Sequence, residues 1–308
     1  MSKKIVMKNK IIAVFTWMFI CELYSPQPAL TQVNQPNNRS SLSEKIDTTN
    51  LNLGDFAKKI IGNTSSNYEK AKILLDWLSN RLQWIATDYQ QRSVNEILAR
   101  GGGNCFELAK VYMALIKELN IKYRPIAEIN IHKYSDSRQQ TAETKVKQAG
   151  NTMSVFGRQH NDHRWVEIYN DITNDWEPAD PSMNVIGTEQ WLKARAWFGK
   201  RVTIDTSLTN DMIAPFAVFV VSDSNKSVMT ENRTQHYLVF AFDKLYNNKL
   251  SNLPSWTRWI QLLDELDDNA KAAFEGKVNL HDYSAQIASL ADVYEQLKKE
   301  YLDKYNSE

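Results

Sequence analysis

The chain has 308 residues, 43% hydrophobic, 24% charged and 11% aromatic, a globular composition that excludes a disordered, collagen-like or multi-span membrane protein. Lys and Arg number 37 against 36 Asp and Glu, so no strong global field points to nucleic acid or an anionic surface. The length accommodates one large domain or two small ones.

Lys3, Lys4, Lys8 and Lys10 precede the apolar run Ile11–Cys21, which Glu22 ends. A basic start and a short apolar run read as a secretory signal peptide over residues 1–31, with Ala29-Leu30-Thr31 as an imperfect cleavage site. A spanning helix needs roughly 20 apolar residues, so this run is short for one. The alternatives are an uncleaved anchor through residues 11–24, or lipidation at Cys21, where bulky Ile20 sits in place of a small residue. The expected location is periplasmic or extracellular, with membrane contact only if that segment is uncleaved or lipidated. Cleavage removes four lysines and Glu22, leaving 33 basic against 35 acidic residues, and leaves Cys105 as the sole cysteine. A lone thiol in an exported chain is either a small buried apolar group or a reactive one.

Residues 32–41 are polar and read as a linker, so that 32–65 form a linker and helical lead-in. Ser66 and Glu69 have the spacing of a capping box, and Ala71, Leu74, Leu75, Leu78 and Leu82 recur behind them at helical spacing. Ser93 and Glu96 form a second box, opening a short helix that reaches Gly101-Gly102-Gly103. From Cys105 to Leu119 one apolar stripe predicts an amphipathic helix ended at Asn120. Strand-like segments follow at 121–131, 163–169 and 174–180. The polar stretch 133–161 between the first two reads as a long surface loop, lid or binding loop. Phe216–Val221 and His236–Phe242 are apolar runs of strand length, 243–255 reads as a linker with Pro254, and helices over about 256–274 and 280–305 form a hairpin. The units are thus 1–31, 32–65, 66–199 and a C-terminal extension 200–308.

Gly101-Gly102-Gly103-Asn104-Cys105-Phe106-Glu107 is the most informative stretch. Asn104 is a favoured N-cap with Glu107 three residues later, which makes Cys105 the first helical residue. Free backbone N–H groups and the dipole at a helix N-terminus favour an anion, and so a thiolate. The glycines allow other groups to approach the sulfur closely. The competing reading is a glycine turn into a core helix that happens to begin with Cys.

A cysteine nucleophile needs a base, and the base an orienting group. His163 opens the alternating segment His163-Arg164-Trp165-Val166-Glu167-Ile168-Tyr169, which in extended form puts His163, Trp165, Glu167 and Tyr169 on one face. A turn-rich stretch leads to Trp176-Glu177-Pro178-Ala179-Asp180-Pro181. If the two segments pair as antiparallel strands with Glu167 opposite Trp176, His163 falls directly opposite Asp180, and the carboxylate can set the imidazole tautomer. A one-residue slip would break that pairing. Glu167 is an alternative orienter, or a hydrogen-bonding partner in the site. His160 and His163 are half a metal site with no second cluster, so no metal is expected.

Together these blocks resemble the transglutaminase-like superfamily of papain-type cysteine enzymes. The glycine turn and Cys105 helix, followed by Asn120-Ile121-Lys122-Tyr123-Arg124, make the first block. His163-Arg164-Trp165-Val166-Glu167 is similar to the family's His-x-Trp-x-Glu strand, and Trp176 with Asp180-Pro181 to its Trp…Asp-Pro block. The helix around Tyr68–Leu82, with Asp76-Trp77, resembles the family's lead-in. The resemblance covers roughly residues 66–187; the 133–161 stretch is longer than the family pattern, and 200–308 lies outside it.

The resemblance implies an α+β fold, with the cysteine helix packed on an antiparallel sheet carrying His and Asp, here followed by added C-terminal helices. It places Cys105, His163 and Asp180 at the triad positions. The implied reaction is acyl transfer: Cys105 attacks an amide carbonyl, His163 protonates the leaving amine and Asp180 holds the imidazole. The backbone N–H of Cys105 is a candidate oxyanion donor, and Gln83 and Trp84 are candidates for a side-chain donor. Asn104, Trp165 and Glu167 complete the supporting set. The expected activity is hydrolysis of peptide or isopeptide amides in a peptide, protein or cell-wall peptide. The alternatives are amine crosslinking by a protein-glutamine transglutaminase, or a non-catalytic binding module on the same fold. No EF-hand loop, dinucleotide fingerprint or phosphate loop occurs in the sequence, so no cofactor is expected.

Overall fold

The computed structural model describes residues 46–85, 88, 90–132, 144, 148, 163–199, 212–222 and 228–305. The signal segment, most of the 133–161 stretch and His160 lie outside the described residues. Helices α1 (Leu53–Ile61) and α2 (Asn67–Arg81) lead to a short strand β1 (Gln83–Trp84), helix α3 (Val94–Arg100), strand β2 (Gly102–Gly103) and helix α4 (Cys105–Glu118). Strands β3 (Tyr123–His132), β4 (His163–Asn170), β5 (Asp175–Asp180) and β6 (Val185–Ile186) follow, then helix α5 (Thr188–Arg195) and strands β7 (Met212–Val221) and β8 (Met229–Asn232). A π-helical turn over His236–Ala241 runs into helix α6 (Phe242–Leu245), and helices α7 (Trp256–Phe274) and α8 (Ser284–Tyr305) finish the described chain. Among the described residues no helix is long and apolar enough to cross a membrane.

The fold is α+β. Six antiparallel strands form one sheet in the order β6-β5-β4-β3-β7-β8. Alternation along β4 sorts its side chains between two cores, as the period-two geometry of a strand requires. Val166 and Ile168 pack with the buried faces of α1 to α4, including Leu74, Leu78, Leu108 and Tyr112. Trp165, on the other face, packs with Trp191 of α5 and with the C-terminal elements. Strand β7 lies inside the sheet, paired with β3 from His132↔Met212 to Ile126↔Val220. The C-terminal segment is therefore built into the sheet that carries β4.

Local chemistry explains the element boundaries. Ser66 caps α2 by accepting from the Glu69 amide at 3.3 Å, but the rest of the cap comes from Asp171, which accepts from the Asn67 and Tyr68 amides at 2.9 and 3.1 Å. The reciprocal half of the expected Ser66–Glu69 box is thus replaced by a carboxylate from the β4–β5 turn, well placed for the helix dipole. The Ser93–Glu96 box is present in full. Asn120 takes a left-handed φ of 55°, ending α4 where the sequence places the stop.

Two expectations are corrected. His236–Phe242 is helical, not a strand; a continuous apolar run of this length has no periodicity to distinguish the two, and its buried Tyr237, Leu238 and Phe242 meet the core from a helix. The 243–255 segment is not a linker: Tyr246, Leu250 and Leu253 are buried in the core, and Tyr246 stacks against Trp197 with ring centroids 5.0 Å apart. The final two helices pack on each other, with Trp259 of α7 against Tyr294 of α8.

Candidate active site

The approach to Cys105 is built from glycine. Gly101 takes a left-handed φ of 78° and its amide donates to the Ile97 and Leu98 carbonyls, closing α3. Gly102 and Gly103 then run parallel to Gln83 and Trp84, tied by Gln83 N–H to the Gly101 carbonyl and Ile85 N–H to the Gly103 carbonyl, both at 2.9 Å. A Cβ on Gly102 would sit 2.2 Å from the Gln83 backbone oxygen, so only glycine permits this contact. The pairing brings the two candidate donors, Gln83 and Trp84, beside the turn that delivers the cysteine.

Asn104 and Glu107 form a complete capping box, each side chain accepting from the other's backbone N–H at 3.0 Å. Glu107 is buried, and its carboxylate is also held by Arg92 at 2.8 Å and Arg100 at 3.6 Å. This fixes the first turn of α4, whose first residue is Cys105. The cysteine is a free thiol and 7% exposed.

Strands β4 and β5 bring the other two side chains together, by a register different from the expected one. Glu167 pairs with Pro178 and Tyr169 with Trp176, two residues away from the expected Glu167–Trp176 pairing. His163 and Asp180 are therefore diagonal neighbours. A shift of two preserves the face on which each side chain lies, where a shift of one would have separated them. Diagonal neighbours remain within reach of an imidazole. His163 Nε2 and Asp180 Oδ2 are 2.5 Å apart, while Asp180 Oδ1 accepts from the Ser182 amide at 3.0 Å and its hydroxyl at 2.6 Å. With Nε2 committed to Asp180, Nδ1 is the nitrogen left for Cys105, whose side chain helps to raise the imidazole.

The electrostatics follow from this arrangement. Burial opposes charge on His163, but the Asp180 carboxylate, its hydrogen bond and Cys105 outweigh it and raise the imidazole to about 10. Burial likewise opposes charge on Asp180. There, His163, the Ser182 hydroxyl and the Arg195 guanidinium hold the carboxyl below the ordinary aspartate range. The pair thus sits as an imidazolium against a carboxylate.

Trp165 and Glu167 have different neighbours. The Trp165 indole N–H donates to Glu128 at 2.9 Å, and its ring packs between Trp191 and Tyr237. Glu128 lies directly opposite His163 across β3 and β4, fully buried, and takes hydrogen bonds from Arg195 and, at 3.3 Å, Asn130. Sequence reasoning missed Glu128; the signal available was a lone carboxylate in the apolar alternation of Ile126, Ile129 and Ile131. Glu167 is fully buried among Arg124, Arg233 at 3.1 Å and the Tyr237 hydroxyl at 2.5 Å. It ties β4 to β3 and to the π-helical turn, and its hydrogen bonds go to these groups.

Residues 54–181 match the transglutaminase-like superfamily. Among solved structures the chain is similar to a candidate cysteine protease from Cytophaga hutchinsonii, with 19% identity, a TM-score of 0.31, and 43% of this chain and 37% of that one covered. A candidate protease from Parabacteroides distasonis matches at 18% identity and a TM-score of 0.29, over 40% of this chain and 22% of that one. A Rad4–Rad23 structure bound to a 6-4 photoproduct lesion matches at 10% identity and a TM-score of 0.28, over 82% of this chain and 46% of that one. The chain thus spans well under two thirds of each of these relatives. No curated protein matches it. The segment 54–181 that matches the transglutaminase-like superfamily contains Cys105, His163 and Asp180 in this order.

Proposed function

We propose that the protein is an exported, cysteine-dependent acyl-transfer enzyme that hydrolyses peptide or isopeptide amides. The observation that carries this reading is the placement of Cys105 at the start of α4, acting electrostatically on a His163 imidazole whose Nε2 lies 2.5 Å from Asp180. In the proposed reaction the Cys105 sulfur attacks the amide carbonyl carbon as the thiolate. The carbon–nitrogen bond breaks, and imidazolium His163 protonates the departing amine, leaving a thioester. Neutral His163 then takes a proton from water, the resulting hydroxide attacks the thioester, and the carbon–sulfur bond breaks to release the acid. Asp180 keeps Nε2 occupied so that Nδ1 faces the reacting atoms. The Cys105 backbone N–H is the first candidate for stabilising the oxyanion, with Gln83 and Trp84 supplied by the strand beside the glycine turn.

The test is a panel of Gln peptides, peptide amides and wall-derived peptides, each incubated with and without a primary amine. Amide cleavage or ammonia release that is lost in Cys105→Ala supports hydrolysis. Amine incorporation lost in the same variant assigns crosslinking, and no reaction on any member favours a binding module. Export rests on the Lys3–Cys21 pattern. N-terminal sequencing of the extracytoplasmic protein is expected to find a start near residue 32; retention in the membrane with the N-terminus intact would indicate an anchor.

A further inference from the structure

Arg164 follows His163 and is 8% exposed. Its guanidinium lies over the ring of Phe106, the residue after Cys105, at 5.9 Å, and over the ring of Phe274 at the end of α7, at 5.7 Å. Both chain neighbours of this clamp, His163 and Cys105, are members of the candidate triad. Yet no carboxylate among the described residues forms an ion pair with Arg164, and its Nε is buried without a hydrogen-bond partner. The other buried arginine beside the site, Arg195, is neutralised by Glu128. Burial lowers the Arg164 guanidinium to about 10, which leaves it charged at neutral pH. The Cys105 sulfur is the charge that acts on this guanidinium, and its buried Nε still lacks an acceptor, an arrangement that a bound anion would complete. Two aromatic rings within cation–π range hold the guanidinium beside the first turn of α4.

Resting on the acyl-transfer reading, we propose that Arg164 selects the substrate: it binds a carboxylate carried next to the amide that Cys105 attacks. Two sources offer that group, an acidic side chain beside the cleaved bond and a free α-carboxylate at the peptide end. Four matched peptides separate them: a neutral residue or Glu beside the cleaved amide, each with an amidated or a free C-terminus. The wild type is expected to favour one carboxylate-bearing form by roughly 10- to 100-fold in kcat/KM. Arg164→Gln loses this preference, so that kcat/KM falls much further on the carboxylate-bearing peptide than on the neutral one, and Arg164→Lys retains part of it. Equal slowing on acidic and neutral peptides would overturn the proposal, since it would place Arg164 at the reacting centre or in the fold alone. Should Arg164→Gln not fold, absence of any carboxylate preference in the wild type overturns it.

Alkylation of Cys105 supplies a readout independent of turnover. Iodoacetate carries the carboxylate and iodoacetamide does not, and His163 is common to wild type and variant. The ratio of the iodoacetate to the iodoacetamide rate should fall about tenfold in Arg164→Gln. If it falls while no peptide is turned over, the anion site stands and the acyl-transfer reading fails. If the ratio is unchanged, the anion site itself is wrong.

Discussion

The buried His163–Asp180 pair makes stability depend on pH in a defined direction. His163 is ordinarily at 6.5 and is raised to about 10 in the folded chain. A group whose folded value lies above its unfolded one stabilises the fold fully below pH 6.5 and loses that contribution as the pH climbs through 10. Integrating over a shift of this size, the contribution falls by about 4 kcal/mol between about pH 6 and about pH 9.5. Asp180→Asn preserves shape and removes the charge that does most to raise the imidazole. Urea unfolding of wild type and Asp180→Asn at the two pH values gives a double difference in which common lysine and tyrosine titrations cancel. The wild type should lose some 3–4 kcal/mol more than the variant over this window. At neutral pH the variant should itself be less stable by about 3–5 kcal/mol, because the buried imidazolium loses its carboxylate partner while the amide oxygen still accepts from Ser182. Parallel pH curves for the two proteins would refute the assignment of His163 as an imidazolium held by Asp180.

The turn that presents Cys105 yields two further expectations. Gly102→Ala drives a methyl into the Gln83 backbone oxygen, which cannot rotate away, and should cost about 1–3 kcal/mol in urea unfolding and slow Cys105 alkylation; unchanged stability would mean that the strand pair is not held in solution. Glu107→Ala removes half of the capping box and the acceptor for Arg92 and Arg100, an expected loss of about 2–4 kcal/mol, whereas Glu107→Gln keeps an acceptor for the Asn104 amide and should lose about half as much.

The legible parts of this molecule are those with local signals. The Cys105 helix, its Asn104–Glu107 box and the glycine turn are all defined within a few residues, and the structure has each of them. Strand β4 was legible from its alternation, and so was the shared face of His163 and Trp165. Register was not, because a two-residue slip conserves every face and differs only in cross-strand contacts. The partners of Glu128 and Glu167 were hidden for a related reason. Arg195, Arg233 and Tyr237 lie 66 to 70 residues further along the chain, and no spacing rule links them to those carboxylates. His236–Phe242 failed because a fully apolar run carries no period, and the unpartnered Nε of Arg164 is visible only once its neighbours are known.

The placement of β7 carries the last prediction, that residues 46–199 do not fold without the segment that follows. Strand β3 pairs with β4 on one edge and with β7 on the other. Cutting before β7 leaves the second edge of β3 with unpaired backbone groups, a template for aggregation. It also strips the core: Phe216, Val218, Phe219 and Val221 are almost wholly buried, and their burial contributes roughly 6–12 kcal/mol, comparable with the entire stability of a typical domain. Arg233 and Tyr237 go too, leaving Glu167 buried on β4 with Arg124 as its remaining partner. Because β4 begins with His163, loosening this strand loosens the candidate triad. The fragment should therefore be insoluble or give a collapsed amide spectrum, and adding residues 212–305 back in one chain should restore dispersion. A soluble, cooperatively melting 46–199 fragment with wild-type Cys105 alkylation would show that the C-terminal segment is an attachment and that the sheet's central strands hold the site by themselves.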